Sequence, residues 1–120
     1  MDIRVYPHGL GSLRVAIGGE LDLATADACQ AGLVAVMYTE GTDEVVVDLA
    51  GLTFVDCAGL NALMVARSRG QSLGVTVRVE HAQPIVAMVL RVTGTWDMLV
   101  GPDHQPAAAT WTGREPEQAT

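Results

Sequence analysis

Apolar and polar residues change their spacing several times along the chain, and each change marks an element. Ile3 and Val5, then Leu13, Val15 and Ile17, alternate with polar or small residues. Pro7-His8-Gly9 and Gly11 lie between the two runs, which predicts an antiparallel hairpin with one face buried. Gly18-Gly19-Glu20-Leu21-Asp22 closes the second strand, and Thr25 is a candidate N-cap. The spacing then becomes helical from about Ala26 to Met37, with Ala28, Ala31, Val34 and Ala35 on one side. Thr39-Glu40-Gly41-Thr42 ends that helix. Val45-Val46-Val47-Asp48 follows as a central strand, its stiff β-branched residues suited to a sheet covered on both faces.

Gly51 predicts a turn, and Asp56-Cys57-Ala58-Gly59-Leu60 a step into a second helix with Leu60, Leu63 and Met64 as its apolar stripe. Gly70 to Gly74 reads as a turn, and Val75, Val77 and Val79 as an alternating strand. Pro84 suits a first helical position, followed by Ile85, Val86, Val89 and Leu90 at helical spacing, with Gly94 as the C-cap. Trp96 to Val100 is a candidate short edge strand. The order β-β-α-β-α-β-α, with that final strand, implies an α/β fold in which a mixed sheet packs against helices. From Gly101 onward Pro, Ala, Thr and charges dominate without periodicity, so the expected division is a domain over 1–100 and a disordered tail over 101–120.

Composition narrows the class. A chain of 120 residues with high aliphatic content and few aromatics makes one domain, with a core of Val, Leu, Ala, Ile and Met. Fourteen acidic residues stand against seven basic ones, all arginine. Such a balance is poor for nucleic acid or anionic membrane and favours a protein partner, particularly a basic one. No run reaches the length of a membrane span and no charged leader precedes an apolar stretch, so a cytoplasmic protein is expected. Cys29 and Cys57 then fit reduced thiols better than a disulfide framework. His8, His81 and His104 show no ligand spacing, so neither metal nor cofactor is expected.

Three landmarks in order resemble the STAS domain of the anti-sigma factor antagonist type, over about residues 2 to 100. Gly19-Glu20-Leu21-Asp22 with Thr25 resembles that family's opening to the first helix, Asp48 to Leu60 its strand and switch loop, and Pro84 to Gly94 its third helix. The resemblance implies a binding module that engages an ATPase-type anti-sigma kinase and so releases a sigma factor. In the family the kinase reverses this by phosphorylating a Ser directly after the Asp, and a phosphatase restores it. Here that phosphoacceptor-equivalent position is Cys57, and Ala58 replaces a second hydroxyl residue common there. The implied partner-binding set is Asp22, Asp56, Cys57, Ala58, Gly59, Leu60 and Asn61. The expectation is an antagonist insensitive to its kinase at this loop.

Several of these residues also have plainer readings. Asp56 suits an N-cap, a role that contributes about 1 kcal/mol, and Asp22 suits a cap at a strand-to-helix turn. Asn61 suits a solvated helix face. Cys57 is either a small residue in the place of Ser or a redox sensor. A helix N-terminus favours the thiolate, while the neighbouring Asp56 favours the neutral thiol.

Three rival functions remain, the least supported being a binder of a small ligand or nucleotide, for which no phosphate-cradling loop is present. An enzyme lacks support, because no candidate His base, no Lys and no glycine-rich phosphate loop accompanies the acids. A non-switching scaffold that assembles with other STAS proteins or sensor modules fits Cys57 and Ala58 nearly as well as an antagonist.

Overall fold

The computed structural model of the chain describes residues 1–101. Four strands, β1 (Asp2–Pro7), β2 (Ser12–Leu21), β3 (Glu44–Val55) and β4 (Thr76–Glu80), form a single sheet in the order β1-β2-β3-β4. β1 pairs antiparallel with β2, while β2, β3 and β4 run parallel. The parallel pairs need crossover helices, supplied by α1 (Ala26–Met37) and α2 (Cys57–Leu73). α3 (Pro84–Val92) and a single turn, α4 (Trp96–Leu99), complete the order. The α/β class and the mixed sheet are therefore as expected. The proposed tail begins at the limit of the described residues and otherwise lies outside them, as does His104.

Alternate residues of the sheet divide its two faces. Val15 and Ile17, Val45, Val47 and Leu49, and Val77 and Val79 join one core with Cys29 and Leu33 of α1, Leu60 and Leu63 of α2, and Leu90 of α3. The intervening positions carry Arg14, Asp48, Arg78 and Glu80. Val46 is fully buried on this second side, in register between Arg14 and Arg78, whose aliphatic stems suit the covering of apolar surface.

Five expectations need correction. In α1 the buried residues are Ala26, Cys29, Leu33 and Met37, while Ala28, Ala31 and Ala35 face solvent. Both sets have helical spacing, and the helix turns its larger side chains inward because they remove more apolar area from water. The hairpin buries β2, but β1 is an edge whose Val5 is 48% exposed, since α1 packs on β2 and β3. Gly51 does not turn the chain. β3 runs through it to Val55, and Gly51 lies opposite Gly18 at a register shift, where an added Cβ would stand 3.3 Å from the Gly18 Cα. Close backbone approach explains this glycine.

Gly70 is likewise helical, and the helix ends at Gly74, which adopts the left-handed C-cap at φ +74°. Finally, Trp96–Leu99 is a helical turn instead of an edge strand. Trp96, Leu99 and Val100 have the i, i+3, i+4 spacing of a helix. Thr95 donates its N–H to the Leu90 carbonyl at 2.9 Å, and the Arg91 guanidinium lies 4.4 Å from the Trp96 ring centroid. Leu99 and Val100 thereby enter the core.

A Cβ at Gly70 would lie 2.6 Å from the Val75 carbonyl oxygen and 2.8 Å from Val77 Cγ2. Gly70→Ala gains up to about 1 kcal/mol of helix propensity but forces backbone apart at a cost of about 1–3 kcal/mol. The expected net result is a lower denaturant midpoint; a raised midpoint would show that α2 and β4 are not this tightly packed.

Candidate functional site

The parallel strands β2 and β3 end side by side. Leu21 pairs with Val55, and the Asp56 N–H donates to the Leu21 carbonyl at 3.2 Å. Two loops therefore emerge together at the carboxyl end of the sheet, the usual position for binding loops in α/β folds. In the β2–α1 loop, Asp22 Oδ1 accepts the N–H groups of Ala24 at 3.0 Å and Thr25 at 3.2 Å. Thr25 holds the N-cap position without a side-chain cap bond. Its hydroxyl instead accepts the Asp22 N–H and donates to the Glu20 carbonyl, each at 2.9 Å. Asp22 thus has the local turn role, and Thr25 locks that turn to the strand before it.

In the β3–α2 loop, Asp56 is the N-cap, with Oδ1 accepting the Gly59 N–H at 2.9 Å. Cys57 follows as the first residue of α2 and is exposed. A Cβ on Gly59 would meet the Leu21 carbonyl oxygen at 2.4 Å and Leu21 Cγ at 2.7 Å. The missing side chain lets α2 begin directly against β2.

Of the residues singled out in the sequence, Cys57 and Asn61 are exposed and Asp22, Asp56 and Ala58 are half-buried. Gly59 and Leu60 are buried, so they support the loop from below. Two apolar residues at this end escaped the sequence reading: Leu23 is 81% exposed and Phe54 is 45% exposed. Leu23 sits in the short turn between Asp22 and Thr25, and Phe54, the only phenylalanine, is paired in register with Glu20. A large apolar residue in a turn was the available signal for the first. The site thus offers apolar side chains, a thiol and carboxylates for contact. Among the described residues no group of three or more His, Cys, Asp or Glu is placed to hold a metal, and no helix is long and apolar enough to cross a membrane.

The second face of the sheet carries an ionic lattice. Arg14 Nε lies 3.3 Å from Asp48 Oδ2, and Arg14 Nη1 3.4 Å from Glu80 Oε1. Arg78 bridges Glu80 and Glu44, the latter at 3.4 Å. Partial burial alone raises the Asp48 pKa, but the Ala50 N–H, His81 and Arg14 together hold it below the usual carboxylate value. Glu80 is lowered in the same way: burial opposes, and Arg78, Arg14 and His81 prevail.

The family model described as "Mlab, STAS domain" matches residues 6–101. The chain belongs to the STAS domain family. No curated protein matches it significantly. Among solved structures, an anti-sigma factor antagonist from Mycobacterium paratuberculosis is 24% identical, with a TM-score of 0.68 over 91% of this chain and 92% of that one. The anti-sigma factor antagonist SpoIIAA in its unphosphorylated form is 15% identical, with a TM-score of 0.67 over 84% of each chain; SpoIIAA is a Bacillus cell fate determinant. The murine anion transporter Slc26a9 is 19% identical, with a TM-score of 0.67 over 76% of this chain but only 15% of the transporter. These identities are low, so the likenesses establish a shared STAS fold, one found both as a small regulator and inside a transporter.

The thiols of this STAS domain should separate cleanly. Burial pushes the Cys29 thiol up to about 11, whereas Cys57 is exposed. Mass spectrometry after alkylation of the native protein should show one adduct, at Cys57, with a second only on unfolding; equal rates at both would contradict this placement. A pH dependence follows from the lattice. Asp48 and Glu80 have lower pKa values folded than unfolded, so their contribution is complete above the unfolded carboxylate range, about pH 4. It is lost as the pH falls through the lower folded values. Asp48→Asn should flatten the acid limb of a plot of denaturant midpoint against pH, and an unchanged limb would count against the lattice.

Proposed function

We propose that this STAS domain is a regulatory binding module of the anti-sigma factor antagonist type. It docks through the β2–α1 and β3–α2 loops on an ATPase-type anti-sigma kinase and so releases a sigma factor. The observation that carries the reading is the exposed Cys57 directly after the cap Asp56, at the position where the family it resembles has its phosphoacceptor serine. Exposed Leu23 and Phe54 supply apolar contact at the same end of the sheet, and Asp22, Asp56 and Glu20 supply negative charge around it. That combination suits a partner surface with an apolar centre and a basic rim. A thiol is not an ordinary substrate for a Ser/Thr kinase, so binding here is not turned off by phosphorylation at this loop. The protein acts by binding, with no catalytic step of its own.

A second reading is a non-switching scaffold that assembles with other STAS proteins or sensor modules. It is favoured by the occurrence of the same fold within a much larger transporter chain. Affinity capture of the tagged protein from its own cells, with identification by mass spectrometry, separates the two. Recovery of an ATPase-type anti-sigma kinase without its sigma factor supports the antagonist, and recovery of STAS or sensor proteins alone supports the scaffold.

Cys57→Ser supplies a sharper test with the captured kinase and ATP. Phosphate should enter the variant at position 57 and not the parent protein. The added charge of about −1.5 to −2 should then weaken binding by about tenfold or more, in the range of losses at interface hot spots. A variant that binds the kinase yet stays unmodified would show that this loop is not the switch.

A further inference from the structure

His81 joins β4 to α3 and is the only non-glycine among the described residues with a positive φ, at +61°. Its Nδ1 lies 3.2 Å from Arg14 Nη2 and 3.3 Å from Asp48 Oδ1. These neighbours make opposite demands on one atom. A guanidinium only donates, so Arg14 requires a bare Nδ1 with its lone pair; an ionised carboxylate only accepts, so Asp48 requires Nδ1–H. No single state of the ring satisfies both.

We propose that His81 is a proton-operated latch that exchanges Arg14 for Asp48. In the neutral ring the hydrogen sits on Nε2, and Nδ1 accepts from Arg14. A proton taken from solvent onto Nδ1 ends that bond, sets two cations against each other, and creates a charge-assisted bond to Asp48. His81 is 57% exposed at its side chain, so solvent reaches it. Arg14 keeps its anchors on Asp48 Oδ2 and Glu80 when released.

Of the charged groups on the neighbouring elements, Arg14 of β2 and Asp48 of β3 meet the ring. Beyond them Glu80 of β4 pairs with Arg14 and Arg78, and Arg78 with Glu44 of β3. β1 contributes Arg4, which pairs with Asp2. α3 carries only Arg91, near its far end and against the Trp96 ring. The exchange moves the tie of the β4–α3 turn from β2 to β3. Two residues further on, the Gln83 side-chain amide holds the start of α3 to the Ala50 carbonyl. The device therefore acts where α3 leaves the sheet.

The test is NMR of the full chain, labelled at the histidine ring nitrogens, over about pH 5–8, where imidazoles change charge. At the alkaline end His81 should be the Nε2–H tautomer. The Arg14 side-chain and Asp48 carboxyl signals should move together with the His81 ring signals. Substitutions give opposite signs: Asp48→Asn should move the His81 midpoint to lower pH, and Arg14→Gln to higher pH. His81→Asn, which tolerates the left-handed backbone, should abolish the movement of Arg14. An Nδ1–H tautomer at the alkaline end, Arg14 and Asp48 signals that do not follow the ring, or equal midpoints in the two charge variants would each overturn the latch.

Discussion

At Gly59 the first turn of α2 lies so close to the end of β2 that an added Cβ would stand 2.4 Å from the Leu21 carbonyl oxygen. That same carbonyl accepts the Asp56 N–H. One backbone group thus locates both the end of β3 and the start of α2, and with them the exposed Cys57. Asp56 caps the helix from within this contact, so its carboxylate is held by a structural bond at the point where the surface begins. The site inherits its rigidity from backbone packing. A larger residue at position 59 would move the loop before it altered any side chain on the surface.

The parallel arrangement of β2, β3 and β4 has a second consequence. One sheet face is committed to the helices and filled with aliphatic side chains. Among the described residues the other has no such cover and is closed by Arg14, Arg78 and the carboxylates between them. Partly exposed ion pairs of this kind contribute little each, but here they shield the fully buried Val46 and leave titratable groups in mutual contact. Burial opposes the charge on Asp48 and Glu80, and their neighbours outweigh it. The apolar face supplies stability, and the charged face supplies sensitivity to pH. The loop end leaves Leu23, Phe54 and Cys57 exposed.

Element order, the strand-to-helix step at Asp56-Cys57 and the cap at Asp56 were legible in the sequence, because each rests on local spacing or on a residue's own backbone preference. Family membership was legible for the same reason, through short motifs in a fixed order. The chain could not reveal which face of α1 turns inward, since Ala28, Ala31, Val34 and Ala35 are as periodic as Ala26, Cys29, Leu33 and Met37. Nor could it separate a glycine that turns the chain from one that admits a neighbour. Gly51 and Gly70 both proved to be the second kind, meeting Gly18 and Val75 from other elements. The apolar run after Gly94 fits a strand or a helical turn, and the bond from Thr95 to Leu90 selects the turn.

By itself, then, the sequence determined an acidic α/β domain, its succession of strands and helices, and a thiol directly after the helix-capping Asp56. Tertiary structure alone decided that Gly59 and Leu60 are buried while Leu23 and Phe54 are exposed at the same end of the sheet. It also brought His81 to Arg14 and Asp48, residues 67 and 33 positions away in the chain. The physical reason is the range of the forces involved. Backbone preference and hydrophobic period act over a few neighbouring residues, whereas burial and charge pairing depend on which distant segments the sheet places side by side.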